Sequence, residues 1–494
     1  MVAWPTAKYL LLSSRLYPRV DGGFKIAVLA RARHMAATGV AGGIGPTILT
    51  VDPGTPDAHC AHRESFVQRG LAASVDVFRN LFDDAFDDPG WLWDAASPGA
   101  PTPGVAYRDV PTGGPVVVSL PVVEGPDWHL TDAAVVVAGP EGTRTLPGFG
   151  GLYRAWLDHV VAESRAADPG LPIVIVCESR QLGELLAGWH PEGVCLLHTV
   201  HTSHLGLDGA PMQLWQRWFA ALDGFDAVLW PTRQQYEDVI AEYGPDPVHE
   251  VVPNALPSAV IDPAPVVPGR VVAVARLAVG KRLDHALRSW HQVLRAVPGA
   301  RLDIYGEGPM RPELEDIIVA HGLSDSVTLY GHVDDVGACR AGAVVVQASA
   351  YEGQGLAALE ALGCGCPVVS YDVPYGPREM LASGAGVLVP SGDSDALADA
   401  LIAVLRDPVL RARMSEQALL RAADFAPEKV MADFADVVRR ALVRGAARHG
   451  ADTASAQATA TAAPSTSAYS RRSHSPKPGS VSVPAASGLA TTGS

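Results

Sequence analysis

Between Gln347 and Met380 the chain reads QASAYEGQGLAALEALGCGCPVVSYDVPYGPREM, and two carboxylates, Glu352 and Glu360, stand eight positions apart within it. Gly353 and Gly355 lie between them and lead into a helical pattern that starts at Leu356. The first turn of a helix presents backbone N–H groups that lack an intrahelical acceptor, which makes it a ready anion site. Ionised carboxylates only accept hydrogen bonds, so carboxylates flanking such a site suit the hydroxyl donors of a sugar. The stretch therefore points to a phosphorylated sugar held at a helix N-terminus. Upstream, VARLAVGKRLDHAL places Arg276 after a strand and Lys281 five residues on, at a helix start. Open α/β sheets bind ligands at the carboxyl ends of their strands. An arginine fork and a lysine point charge at that place can hold a diphosphate.

Other groups with chemical potential are less specific. The segment LLHTVHTSHL carries His198, His201 and His204. Three histidines raise the question of zinc, but no carboxylate or cysteine completes a metal-binding pattern. Glu178, at the end of the apolar run VIVCES, is either a cleft residue or a helix cap. Gly22 and Gly23 let a ligand approach the backbone closely or serve a plain tight turn. The six cysteines, at 60, 177, 195, 339, 364 and 366, show neither metal nor disulfide spacing and fit buried thiols in a reducing cytosol.

The elements that must position these groups follow from hydrophobic periodicity. A strand over Lys8–Ser14, a glycine turn and a helical pattern over Phe24–Ala37 open an α/β domain. A strand at 46–51 follows. Residues 75–150 are acidic and then rich in proline and glycine, with short strands at 107–124 and 133–146, which reads as a β-rich insertion. The α/β rhythm resumes with a helix near 152–166, strands at 173–177 and 194–198, a helix near Met212–Leu222 and a strand at 227–230. Residues 261–269, IDPAPVVPG, form a proline-rich linker. A second series then alternates strands at 271–275, 301–305, 327–330, 343–347 and 367–370 with helices, which implies a parallel sheet covered on both faces. The expected organisation is an N-terminal domain over 1–260, a C-terminal domain over 270–424, a helix at 425–448 that crosses back, and a disordered tail over 449–494.

At 494 residues with a formal net charge of −15, the chain is too long for one ordinary domain and too acidic for general nucleic-acid binding. Residues 1–35 depart from this balance, with Lys8, Arg15, Arg19, Lys25, Arg31 and Arg33 against Asp21 alone. This basic patch reads as a solvated face or as a docking surface for an anionic acceptor. No apolar run is long enough to span a membrane, and the N-terminus reads as a first strand. The expected location is the cytoplasm, with peripheral association at the inner face of the membrane.

The segments ARLAVGK, IYGEGPMRPELEDIIVAHGLSDSVTLYGHV and SAYEGQGLAALEALGCGCPVV, the last with its Glu-x7-Glu spacing, together resemble the retaining glycosyltransferases of family four. The resemblance implies a GT-B fold, with two Rossmann-like domains facing a central cleft. It assigns Arg276 and Lys281 to the donor diphosphate, Glu352 to the transferred sugar and Glu360 to the nucleotide ribose. Backbone groups of Gly353, Gln354, Gly355 and Leu356 meet phosphate and sugar, those of His332 and Val333 contact the base, and Gly22–Gly23 belongs to the donor site. A histidine after an N-terminal strand faces the donor sugar in this family, and His198 and His201 both fit. The segment SYDVPYGPREML, with Tyr375–Gly376–Pro377, is similar to enzymes that place α-linked hexoses on wall teichoic acids, and a GG loop, a basic helix and a β-rich insertion agree. The implied reaction moves glucose or N-acetylglucosamine from a UDP-sugar to a polyol-phosphate or other glycan acceptor, with neither cofactor nor metal. Insertions of this kind can assemble subunits, so a homo-oligomer is among the expected states. The competing readings are a non-catalytic GT-B subunit that binds a glycan or a partner, and another GT-B enzyme such as a nucleotide-sugar epimerase or a phosphorylase.

Overall fold

The computed structural model describes residues 2–18, 23–111, 116–125, 127–139, 141–206, 209–246, 248–257, 266–333 and 342–461. Two parallel sheets organise it. The N-terminal sheet has seven strands in the spatial order His249–Val251, Ala227–Trp230, Val194–Thr199, Ile173–Cys177, Lys8–Ser13, Thr47–Thr50 and Phe78–Asn80. The C-terminal sheet has six, in the order Val327–Gly331, Arg301–Tyr305, Arg270–Val274, Val344–Gln347, Val368–Asp372 and Gly386–Pro390. In each sheet the chain first runs outward to one edge, then returns beside its first strand and runs to the other. Each therefore has a topological switch point, between Lys8–Ser13 and Ile173–Cys177 in one and between Arg270–Val274 and Val344–Gln347 in the other. Ligands bind outside the carboxyl ends of strands at such points.

The strands read as apolar runs because both faces are covered. Leu11, Leu12, Val174, Ile175, Val271, Val272, Val344 and Val345 are all fully buried. The short strands Phe78–Asn80, His249–Val251 and Gly386–Pro390 escape the periodicity reading, since three to five residues give little pattern to see.

An antiparallel sheet of five strands lies between the third and fourth strands of the N-terminal sheet, in the order Ser97–Pro98, Gly142–Leu146, Val135–Gly139, Val118–Pro121 and Tyr107–Val110. Val118, Val135 and Leu146 share one apolar cluster with Leu10, Leu12 and Leu49 of the parallel sheet, so the insertion extends the same core. Its boundary lies later than residue 75, because Phe78–Asn80 pairs with Thr47–Thr50 in the main sheet.

Other differences have local causes. The helix expected over Met212–Leu222 is broken into Gln213–Trp215, Gln216–Phe219 and Leu222–Gly224. Burying Trp215, Trp218 and Phe219 in so short a stretch is met by separate turns. The last helix runs over Pro427–Thr461, past the expected end at 448, since the alanine-rich ADTASAQATAT favours helix. Up to Arg448 it packs on the N-terminal half, with Val430, Met431, Phe434, Val437 and Val438 in that half's core. Residues 462–494 and most of the linker lie outside the described residues. No helix among the described residues is long and apolar enough to cross a membrane.

Candidate active site

The C-terminal half contributes two loops at its switch point. The first leaves strand Arg270–Val274 and carries Arg276, exposed, to the turn Val279–Lys281 before helix Leu283–Ala296. It is held from behind by the turn after strand Arg301–Tyr305. The N–H of Leu277 donates to the carbonyl of Glu307 at 2.9 Å. Gly306 and Gly308 adopt positive φ, and a Cβ on either would lie 1.8 or 2.3 Å from the carbonyl oxygens of Ala275 and Leu277. Only glycine allows that approach.

The second loop leaves strand Val344–Gln347 and carries Glu352 to helix Leu356–Gly363, with Gly355 at φ +88° as the helix cap. Three donors converge on one oxygen of Glu352. Lys281 Nζ lies 2.5 Å from Oε1, Ser349 Oγ 2.6 Å and Gln347 Nε2 3.0 Å. Among the described residues none donates to Oε2, so that oxygen keeps its accepting capacity. A nearly buried carboxylate with one oxygen anchored and one available is a fixed acceptor for a ligand hydroxyl. The Gln354 side chain is tied to the end of the N-terminal half, accepting from Asn254 N at 2.6 Å and Nδ2 at 3.0 Å. Glu360 lies half-buried one turn into the helix.

The N-terminal half meets these loops at its own switch point. Glu178, at the tip of strand Ile173–Cys177, is fully buried and faces Arg31 and His201. Arg31 Nε lies 3.1 Å from Oε1, and His201 Nε2 lies 2.7 Å from Oε2. Burial alone would raise the Glu178 carboxyl, but Arg31 and the His201 contact outweigh it and hold the group below its usual range. The backbone of His201 touches the Glu352 loop directly, since a Cβ on Gly353 would lie 2.5 Å from its carbonyl oxygen. Gly23 packs on Leu356 in the same way, since a Cβ there would lie 3.1 Å from Leu356 Cδ1.

Comparison with known proteins fits this geometry. Residues 264–421 match the family model described as glycosyl transferases group 1. These residues form a glycosyl transferases group 1 domain. A poly(glycerol-phosphate) alpha-glucosyltransferase of Bacillus subtilis is 30% identical over 226 residues, which cover 44% of this chain and 33% of that protein. An exopolysaccharide phosphotransferase of Streptomyces coelicolor is 30% identical over 264 residues, 52% of this chain and 27% of that protein. The chain thus spans about a third or less of these relatives' length. Among solved structures, TarM of Staphylococcus aureus in complex with UDP and alpha-GlcNAc-glycerol superposes with a TM-score of 0.68 at 15% identity, over 87% of this chain and 99% of that one. The pneumococcal O-GlcNAc transferase GtfA, with UDP and GlcNAc, superposes with a TM-score of 0.63 at 17% identity, over 88% and 99%. The fold is GT-B.

Set against the group 1 domain, the residues singled out in the sequence separate into those at the cleft and those elsewhere. Lys281, Glu352, Gly353 and Gly355 come together, and Arg276 lies on the same strand-to-helix loop as Lys281. His332 and Val333 follow the edge strand Val327–Gly331, where His332 Nε2 lies 3.4 Å from Arg69 Nη2 of the N-terminal half. Gly22 lies outside the described residues. His198 is a correction. It is 1% exposed, packs on Trp218 and Phe225, and neither ring nitrogen makes a hydrogen bond. Burial depresses its pKa to about 3, so it is a neutral core residue and not a cleft histidine. His198 sits within strand Val194–Thr199, where side chains point into the sheet faces, whereas His201 lies beyond the strand end.

The basic patch is a second correction. Lys25 is 1% exposed and donates to the Tyr17 carbonyl at 2.6 Å, while Arg31 is 4% exposed beside Glu178. Arg33 donates to the carbonyls of Gly70 and Pro257. Lys25 and Arg31 sit on the buried side of helix Gly23–Ala37, and Arg19 and Asp21 lie outside the described residues, so among the described residues of this helix no single exposed basic surface results. Tyr375 is likewise fully buried, which removes it from direct contact with an acceptor. Among the described residues no group of three or more histidine, cysteine, aspartate or glutamate side chains is arranged to hold a metal ion. Glu178 and Arg31 were each noted in the sequence, but their pairing was missed, because the two stand 147 residues apart and nothing local links them.

Proposed function

We propose that the protein is a retaining glycosyltransferase that moves a hexose, glucose or N-acetylglucosamine, from a UDP-sugar to a polyol-phosphate acceptor. The observation that carries the reading is the anchored Glu352, with Lys281 on its Oε1 and the helix start at Gly355 beside it. Lys281, Arg276 and the N–H groups at the start of helix Leu356–Gly363 would meet the diphosphate. Glu352 Oε2 would accept from a hydroxyl of the transferred sugar, and Glu360 from the ribose.

In this reaction the bond between the anomeric carbon and the diphosphate oxygen breaks, and a bond to the acceptor oxygen forms on the same face. The acceptor proton passes to the departing phosphate, and UDP leaves. The costly event is the charge that grows on the diphosphate. Fixed donors aimed at such charge are worth about 3 kcal/mol each. His201, held by Glu178, would shape the opposite wall of the sugar pocket. The polyol-phosphate acceptor is supported by the substrates named for the Bacillus relative and by the glycerol-bearing ligand of TarM.

The test is a nucleotide-release screen with UDP-glucose, UDP-N-acetylglucosamine and UDP-galactose, with and without poly(glycerol phosphate). The expected result is UDP release that the polymer stimulates. Release of UMP would instead show transfer of the sugar together with a phosphate and would overturn the hexosyl-transfer reading; the Streptomyces relative is named an exopolysaccharide phosphotransferase. UDP release that no polyol phosphate stimulates would remove this acceptor class, and no release from any donor would overturn the reading.

A further inference from the structure

The loop Pro374–Glu379 lies next to Glu352 yet has no part in the scheme above. Its backbone pairs with the donor loop. The N–H of Glu352 donates to the Pro374 carbonyl at 3.0 Å, that of Tyr375 to the Glu352 carbonyl at 2.9 Å and that of Gly376 to the Gly353 carbonyl at 3.1 Å. The fit is tight, since a Cβ on Gly376 would lie 1.6 Å from the Gln354 carbonyl oxygen. Where this loop goes, Glu352 goes with it.

The side chains of the same loop reach the other half of the molecule. The Tyr375 ring stacks on His204, with centroids 5.8 Å apart and planes 15° from parallel. His204 is 1% exposed, packs edge-on against Phe219, and is kept neutral by burial, which lowers its pKa to about 4. Gln235, wholly buried, donates to the Thr202 carbonyl at 3.0 Å and so fixes the loop that carries His201 and His204. Glu379 Oε2 accepts from the N–H groups of Arg233 and Gln234, at 2.8 and 3.4 Å, at the start of helix Arg233–Tyr243. A carboxylate there also meets the positive end of the helix dipole. One loop thus holds Glu352 by its backbone and two elements of the N-terminal half by its side chains.

We propose that Tyr375 and His204 form an interdomain joint that sets Glu352 in register with His201 and keeps water from the reacting carbon. The proposal rests on the glycosyltransferase reading. When the joint is closed, the anomeric carbon is attacked by the acceptor oxygen. When it is loose, water attacks instead, the water proton passes to the diphosphate, and the products are UDP and free hexose. Tyr375 and His204 are positioning residues, since neither is placed against substrate. Glu379 belongs to the same joint, at its rim.

The experiment uses the full chain with Tyr375→Leu, His204→Ala and the conservative Tyr375→Phe. Transfer is read as glycosylated polymer, hydrolysis as free hexose, and UDP affinity by calorimetry. In the first two variants transfer is expected to fall roughly ten- to a hundredfold, the scale of about 1 Å of misplacement. The hexose formed per UDP released should rise several-fold, while UDP affinity stays within about twofold because the C-terminal half keeps its own contacts. Tyr375→Phe, which keeps the ring, should restore the wild-type ratio. An unchanged hydrolysis ratio in both disrupting variants, or a loss of UDP affinity in step with transfer, overturns the joint. Small-angle scattering with UDP tests the joint without turnover. A larger radius of gyration in His204→Ala than in wild type supports it, and identical curves overturn it. If the wild type releases no UDP from any donor, the glycosyltransferase reading falls, and the scattering curves still distinguish a closed joint from a loose one.

Discussion

Glu178 offers a sharp test of how the N-terminal half is built. Replacing it with glutamine keeps the shape and removes the charge. Arg31 is 4% exposed and its Nε lies 3.1 Å from Glu178, so the substitution leaves a guanidinium in the core without its counter-charge. Removing one partner of a buried pair typically costs about 3–5 kcal/mol. At about 2–4 °C per kcal/mol for a domain of this size, the melting point of the N-terminal half should fall by roughly 6–20 °C. Nine of the ten tryptophans precede residue 260, the exception being Trp290, so tryptophan fluorescence reports this half selectively. The pH dependence has a fixed sign. The Glu178 carboxyl is held below its usual value in the folded chain, so its contribution is complete above the unfolded carboxylate range. It is lost as pH falls through the lower folded value. The variant should therefore differ most from wild type near neutrality and converge with it in acid. A melting point within about 2 °C of wild type at pH 7 would refute the reasoning, since the charge of Arg31 would then be met by something other than Glu178.

Further expectations follow from the same contacts. Lys281→Ala should lower transfer by roughly 100- to 1,000-fold, the scale of a lost transition-state donor, with little change in melting point because the lysine side chain is 29% exposed. Retained activity would sink the assignment of the diphosphate site. His198→Leu should leave transfer within about twofold, because the imidazole makes no hydrogen bond in its pocket. The same variant should flatten the loss of stability in acid. A neutral buried histidine with pKa about 3 contributes stability above the unfolded value near 6.5 and loses about 1.4 kcal/mol per pH unit below it. Equal acid sensitivity in variant and wild type would count against the neutral core assignment. Gly353→Ala should lower transfer without unfolding either half, since its Cβ would lie 2.5 Å from the His201 carbonyl oxygen and would push the halves apart. Chelation with EDTA should leave the rate unchanged if Arg276 and Lys281 carry the diphosphate charge, and a rate restored only by added divalent metal would refute that division of labour.

What the sequence conveys about this site depends on how far apart the cooperating residues lie. The two parallel α/β halves were legible because strand–helix alternation repeats along the chain, and each repeat carries its own apolar pattern, while the GT-B arrangement came from the family resemblance of three segments. The two loops that meet at Lys281 and Glu352 were legible because Arg276–Lys281 and Glu352–Gly355 are short segments whose chemistry and spacing sit on one strand end each. The histidines show where this kind of reading needs one more step. His198 and His201 differ by three positions, and composition treats them alike. The strand end separates them. A side chain inside strand Val194–Thr199 must enter one face of a sheet that is buried on both, and only a residue past Thr199 can reach over the edge into the cleft. The basic patch fails by the same geometry, since charges summed along a helix do not say which face each one takes, and Lys25 and Arg31 take the inner one. The pairing of Glu178 with Arg31, or of Tyr375 with His204, carries no local signal, because each pair forms only when two separate elements or two halves meet. A contact between distant segments cannot leave a pattern in either segment alone. The acceptor is illegible for a related reason. Tyr375, within the segment that pointed to the acceptor class, is fully buried against His204, which leaves the groups that touch the acceptor to be found by the polymer assay.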